Sequence, residues 1–145
     1  MRFRLPDPVA ATVDKEHAHG VWITEPDPNR AVMMQVPKLG AFVRCLLPVR
    51  LTDGFTVTFG LWLAVHPDDL QRAARAWFDP AYAELAFEGR LANAIPPWGL
   101  LAAQAQARVV DPDATPYVVA SDDPALSQVL TTEWPHDDVL SVLPS

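Results

Sequence analysis

The sequence predicts an α+β domain, with an antiparallel or mixed β-sheet and helices packed mainly on one face. Three observations favour this class. Apolar residues alternate with period two over several short segments, they recur at helical spacing after Pro67, and the connections between segments are short. The 145 residues, half of them hydrophobic, fit one domain over residues 1–145. Within it we expect an irregular N-terminal arm over residues 1–30 and a core over residues 31–145.

The first part of the chain is weakly patterned. Prolines at positions 6, 8, 26 and 28 interrupt it, which predicts a wrapping arm with little secondary structure, or one short helix around Val9 to His17. Strand composition appears at Arg30 to Val36 and stops before Pro37, and Leu39–Gly40 is typical of a turn.

The clearest strand signal is a hairpin. Residues 41–51 alternate, with one unbroken apolar face that includes Cys45, and residues 55–65 form the return strand. The intervening Asp53–Gly54 favours a primed turn. Because the return strand is apolar on both faces, including Trp62, we expect it to be central and covered on both sides.

The next helix is predicted to begin at Pro67, with His66 near its N-cap and acidic residues in its first turn. A loop or short helical turn follows over residues 78–87. The remaining segments are strands at Glu88 to Ile95, Leu100 to Val110 and Tyr117 to Ser121, and two helices, one capped by Asp123 and one starting near Trp134. The alanines and glutamines of Leu100 to Val110 also suit a helix.

Charge and composition exclude several function classes. The net charge of −7, without any basic run, argues against binding to nucleic acid or to anionic membrane surfaces. The longest apolar run, Phe59 to Val65, is too short to span a bilayer, and the N-terminus lacks a secretory signal. The single cysteine, Cys45, allows no intrachain disulfide. We therefore expect a soluble, cytoplasmic protein whose partner is another protein or a small ligand, with homo-oligomerisation left open.

Three segments resemble an uncharacterised bacterial family, the domain of unknown function numbered 2199. They read FVRCLLPV, FGLWLAVHPDDLQRAARAWFDP and FEGRLANAIPPWGLL, within residues 40–135. The matching positions are Phe42, Arg44, Gly60, Trp62, Trp77, Gly89, Leu91, Asn93 and Pro96. The resemblance implies a fold but no activity. Many family members carry an N-terminal Cys-x-x-Cys-Gly zinc knuckle, which this chain lacks, so no metal role follows from it.

The motifs of catalysis are missing from the sequence. It has no Gly-x-Ser-x-Gly elbow and no glycine-rich phosphate loop, and Cys45 falls on an apolar strand face. We therefore predict no catalytic residue and no cofactor. His17 and His19 have the spacing of metal ligands on a strand, but a His-x-His in a polar arm arises easily by chance, and no metal site is predicted.

The less apolar side of the sheet offers candidate binding residues. Arginine and tryptophan anchor many interfaces, and arginine suits carboxylate ligands. The predicted binding residues are Arg44, Trp62, Arg90, Asn93 and Trp98. The leading hypothesis is a non-catalytic module that binds a protein or a small ligand. The alternative is a small enzyme, such as a hydrolase, with a site around His66, Trp62 and Arg44. In the purely structural interpretation, Trp62 packs under helices and the arginines are solvated.

Overall fold

The computed structural model describes residues 2–3, 5–12, 22–23 and 32–140. Its elements, in chain order, are α1 (Asp7–Thr12), β1 (Trp22–Ile23), β2 (Met33–Val36), β3 (Gly40–Arg50), β4 (Thr56–Val65), α2 (Pro67–Ala76), a 3₁₀ helix (Pro80–Glu84), β5 (Ala86–Leu91), β6 (Gln104–Arg108), β7 (Tyr117–Ala120), α3 (Pro124–Thr131) and α4 (His136–Leu140).

The strands form one mixed sheet in the order β1 to β7, and an extra pairing joins β3 to β7. Neighbours along the chain are antiparallel, whereas β3 and β7 are parallel and meet at Leu46 and Tyr117. The strands β3 to β7 thereby close into a five-stranded barrel. The mixed α+β class is confirmed, but the barrel was not predicted. Closure gives β7 a second partner, while β1 lies at the edge of the sheet in the described part of the chain.

The β3–β4 hairpin is the longest element of the barrel. It pairs from Ala41–Val65 to Arg50–Thr56, and both strands lie where the alternation predicts them. The predicted primed turn is wrong. Of the two central residues only Gly54 has a positive φ (+88), and the Gly54 amide donates to the Leu51 carbonyl. This geometry belongs to a three-residue loop with glycine in the left-handed position.

The barrel core is built from the first face of these strands. Cys45, Phe59 and Leu61 are fully buried there, together with the alanines of β6 that the alternation predicted. Helices α2, α3 and α4 contribute Leu70, Leu126, Val129 and Val139 to the same core. A second, smaller core lies on the opposite face of β3 and β4, where Phe42 and Trp62 contact Val9 of α1.

Strand β5 ends earlier than predicted. It stops at Leu91 rather than Ile95, because Asn93 turns away to bond with the N-terminal arm. The predicted helix starts are confirmed: His66 and Asp123 cap α2 and α3. No helix in the described ranges is both long and apolar enough to cross a membrane.

Candidate functional site

Asn93 lies at the centre of a buried hydrogen-bond network that fastens the N-terminal arm to the barrel. Its Oδ1 accepts from the Trp62 amide at 2.8 Å, while its Nδ2 donates to the Leu5 carbonyl at 2.8 Å and to Asp7 Oδ1 at 3.0 Å. The other Asp7 oxygen accepts from the Ala94 amide at 2.7 Å. Three hydrogen bonds satisfy an amide that is completely buried.

Arg44 and Trp62 form the second part of this attachment. They are directly opposite on β3 and β4, and the Arg44 guanidinium lies 4.3 Å from the Trp62 ring centroid. Arg44 also donates to the Phe3 carbonyl at 2.6 Å. Burial, reinforced by the charge of Arg2, lowers the pKa of Arg44 to about 10, so the side chain stays charged at neutral pH.

The arm also adds to the edge of β4. The Phe3 amide donates to the Gly60 carbonyl at 2.7 Å. Gly60 comes before Leu63, where the pairing of β4 with β5 begins. A Cβ on Gly60 would lie 3.1 Å from Arg2 Cγ, so the missing side chain makes room for the arm. We call Arg44, Trp62 and Asn93 the arm anchor, because Arg44 and Asn93 bond to Phe3, Leu5 and Asp7 of the arm and Trp62 packs in the same cluster as Leu5 and Val9.

The structure brings the predicted binding residues together only in part. Arg44, Trp62 and Asn93 are adjacent, but each is at most 1% exposed beneath the arm. Arg90 is opposite Ala64 and so shares the Trp62 face, where it is exposed and donates to the Ala102 carbonyl. Trp98 lies on the barrel-core side, with its ring edge-on to Phe59 and Trp134. Their binding of an external ligand stays a prediction, and at the arm anchor it would require displacement of the arm.

His66 has a local structural role. Its Nδ1 accepts from the Asp68 amide at 3.1 Å, as expected of an N-cap, and the imidazole is exposed. Since Arg44 and Trp62 are buried while His66 is open to solvent, the three residues do not share an open site.

Metal and thiol chemistry find no support in the described residues. They contain no group of three or more His, Cys, Asp or Glu side chains close enough to hold a metal ion. His17 and His19 lie outside the described residues, so their metal binding is untested. Cys45 is fully buried, and burial raises the pKa of its thiol well above the usual range, which keeps it protonated.

An open cleft of about 580 Å³ lies between the end of α2 and the β6–β7 loop. We call it the Trp77 cleft. One wall is the segment from Trp77 to Ala83, the other is the loop from Pro112 to Thr115, and Val32 also lines it.

The two walls of the Trp77 cleft are tied together at Tyr82. The Tyr82 hydroxyl donates to the Ala114 carbonyl at 2.6 Å, and the Tyr82 ring meets Trp77 edge-on at 4.8 Å between centroids. Burial, with smaller effects of Cys45 and Asp111, raises the pKa of Tyr82 to about 12, so the phenol is neutral at physiological pH. Asp79 caps the 3₁₀ helix by accepting from the Ala81 amide.

Phe78 is the most unusual residue of the Trp77 cleft. It has φ +69 and its side chain is 99% exposed. Phe78 directly follows Trp77, the C-cap residue of α2. Helices commonly place a glycine in the left-handed conformation at this position. A bulky residue in this region is an outlier.

Sequence reasoning missed this cleft. The signal was the segment Trp77–Pro80, in which a helix end is followed at once by the Asp-Pro start of another turn, and Pro80 disfavours a helical conformation of Asp79. The second wall comes from residues 112–115, and nothing in the local sequence connects it to the first.

The fold and site define a small α+β barrel protein with an attached arm and an open cleft lined in part by aromatic residues. The family pattern described as "uncharacterized protein conserved in bacteria (DUF2199)" matches residues 1–124, and the chain belongs to this family. The match starts earlier than the resemblance within residues 40–135 and includes the arm. No curated protein and no solved structure shows a significant match to the chain.

Proposed function

We propose that the chain is a non-catalytic binding module that takes a small ligand into the Trp77 cleft. The observation that carries this proposal is Phe78, with its side chain 99% exposed at φ +69 on the cleft. A large ring placed in this way lowers stability through backbone strain and gains almost nothing from burial. Backbone strain of this kind clusters at active sites and ligand clamps, which supports a binding role for Phe78.

The size and lining of the Trp77 cleft also support a small ligand. Its volume of about 580 Å³ falls within the range of about 300 to 1,000 Å³ found for small-molecule sites. The described lining is mainly apolar and aromatic, with Asp79 and Asp113 as its charged groups. The Tyr82–Ala114 hydrogen bond holds the walls in place, so little ordering is needed on binding.

The proposal includes a cytoplasmic location and a single domain. The location is proposed from the single cysteine and the single domain from the absence of a break in composition. The enzymatic alternative around His66, Trp62 and Arg44 has no specific observation in its favour.

The first experiment separates function from stability at Phe78. In Phe78→Gly, relief of left-handed strain of about 1 to 2 kcal/mol exceeds the added freedom of glycine, about 0.5 to 1 kcal/mol. We therefore expect urea unfolding to show equal or greater stability than the wild type. A clear loss of stability would mean that Phe78 packs in the fold, and the binding argument would fail.

The second experiment measures binding directly. Benzyltrimethylammonium, benzyl alcohol and benzoate share a ring and differ in charge, and each is titrated into isotope-labelled protein while amide resonances are recorded. We expect at least one probe to shift the amides of Phe78, Ala83 and Thr115, and to do so less in Phe78→Gly. Phe55→Ala is the matched control, because Phe55 is also exposed (68%) but lies in the β3–β4 loop. If no probe shifts the cleft amides, the proposed function is refuted.

A further inference from the structure

The charges at the Trp77 cleft all have one sign. Asp79 and Asp113 are its charged groups among the described lining residues, which include no lysine, arginine or histidine. Asp79 uses one oxygen to cap the 3₁₀ helix. In the described part of the chain, the Asp113 carboxylate makes neither a hydrogen bond nor an ion pair, although the Asp113 amide donates to Asp111 Oδ1. A ligand in the cleft therefore meets carboxylate oxygens that can face it.

Three aromatic side chains line the same cleft. The rings of Trp77 and Tyr82 are inclined at 62° to one another, and Phe78 follows directly in the chain and is open to solvent. Because the Trp77 and Tyr82 rings pack edge-to-face on one another and Tyr82 is buried, the rings that a ligand can reach are those of Trp77 and Phe78. Ring faces attract cations through their quadrupole. Rings and carboxylates together thus favour a positive ligand.

The apolar walls of the Trp77 cleft restrict the kind of cation. A primary ammonium is a strongly hydrated point charge and would lose a tightly held water shell on entering the cleft. A methylated ammonium has fewer N–H groups or none and an apolar surface, which suits walls that include Pro80, Ala83 and Pro112.

We propose that the Trp77 cleft recognises the methylated ammonium group of a small molecule. The rings of Trp77 and Phe78 contact the cation, and Asp113 balances its charge. The net charge of −7 steers cations toward the protein as a whole. This inference rests on the proposed function and names the ligand class of the same site.

The test uses a pair of probes that differ only in charge. Choline and 3,3-dimethylbutanol have the same shape, with nitrogen in one replaced by carbon in the other. Each is titrated into the labelled full-length protein at low and at high salt. We expect choline to bind at the cleft amides about fivefold more tightly than its neutral analogue. Added salt should weaken the binding of choline and leave the neutral analogue unchanged.

Two variants with matched controls complete the test. Asp113→Asn keeps the shape and removes the charge, and Phe78→Gly removes one ring; each should weaken choline binding about threefold to fivefold. Asp122→Asn and Phe55→Ala make the same kinds of change at exposed positions outside the described cleft lining, and should bind as the wild type does.

The outcomes distinguish the inference from the function on which it rests. Equal affinity for choline and 3,3-dimethylbutanol, or a preference for benzoate, at the cleft amides would overturn the ammonium inference and leave a binding module. Unchanged choline affinity in both Asp113→Asn and Phe78→Gly would also overturn it. If neither choline, its analogue nor the benzyl probes shift the cleft amides, both proposals fall.

Discussion

Replacement of Asn93 by aspartate tests whether the arm anchor holds the N-terminal arm as its hydrogen bonds indicate. The change keeps the shape of the side chain and the acceptor for the Trp62 amide, which is 2.8 Å away. It removes the two bonds donated by Nδ2, to the Leu5 carbonyl and to Asp7. It also places a carboxylate at hydrogen-bond distance from Asp7.

The expected cost of Asn93→Asp at pH 7 is about 4 kcal/mol. The two lost hydrogen bonds, one of them to a charged acceptor, contribute about 2 to 3 kcal/mol. Repulsion between the two carboxylates, partly relieved by movement of the arm, adds about 1 to 2 kcal/mol. Urea unfolding measures the global loss, and hydrogen exchange at the Trp62 and Ala94 amides reports whether the arm opens first.

The pH dependence of Asn93→Asp has a defined sign. Burial and the charge of Asp7 raise the pKa of the new carboxyl in the folded state above its unfolded value of about 4. The folded variant then binds a proton more tightly than the unfolded chain. The loss of stability relative to the wild type is therefore largest at pH values above the raised pKa, and it shrinks as the pH falls through that pKa.

A double variant decides whether the two side chains interact as described. In Asn93→Asp/Asp7→Asn, an amide at position 7 can donate to the new carboxylate while its oxygen still accepts from the Ala94 amide, which is 2.7 Å from Asp7 in the wild type. We expect it to recover about 2 kcal/mol of the loss, since the repulsion between the carboxylates is removed and one lost hydrogen bond is restored. Strict additivity of the two single variants would refute the network.

Three further predictions follow from burial and close contact elsewhere in the barrel. Gly89→Ala should lower the free energy of unfolding in urea by about 3 kcal/mol, because a Cβ there would overlap the Ala64 carbonyl oxygen. Gly54→Ala should lower it by only about 1 to 2 kcal/mol, through left-handed strain, because no atom lies within 4 Å of the added Cβ. Equal losses in the two variants would contradict this. Cys45 should react with a thiol reagent only after unfolding, since it is fully buried; fast reaction of the native protein would disprove its burial. Tyr82 should ionise near pH 12 in an absorbance titration. Because the phenol of the unfolded chain ionises near pH 10, the free energy of unfolding should fall as the pH rises between these two values. An increase of stability over that range would contradict the prediction.

Periodicity predicts the strands of this barrel well because it reports burial directly. The β3–β4 pair, the alanine face of β6 and the caps at His66 and Asp123 follow from local patterns. Closure of the barrel depends on contact between Leu46 and Tyr117, which are far apart in the chain. A four-residue strand such as β7 carries no local sign of that partner.

The candidate site was harder to predict because residue type does not reveal the partner. Arg44, Trp62 and Asn93 do bind a peptide segment, as arginine and tryptophan often do, but that segment is the chain's own arm. The sequence predicted a wrapping arm over residues 1–30, and nothing in its composition placed it over Trp62. The Trp77 cleft needs a loop from another part of the chain, so local patterns could not assemble it.

The contrast between these two surfaces explains why the proposed site lies at Phe78 rather than at Trp62. At the arm anchor, a buried ring, a buried guanidinium and a buried amide have hydrogen-bond or stacking partners within the chain, so an external ligand must first compete with the arm. At the Trp77 cleft, the Phe78 ring is open to solvent and the Asp113 carboxylate has no hydrogen bond within the described chain. Binding free energy comes from interactions that the free protein does not already make. A ligand can therefore bind in the exposed cleft without first breaking the contacts of the arm. Contact with a bound ligand would give a reason for the strained backbone and the exposed ring of Phe78.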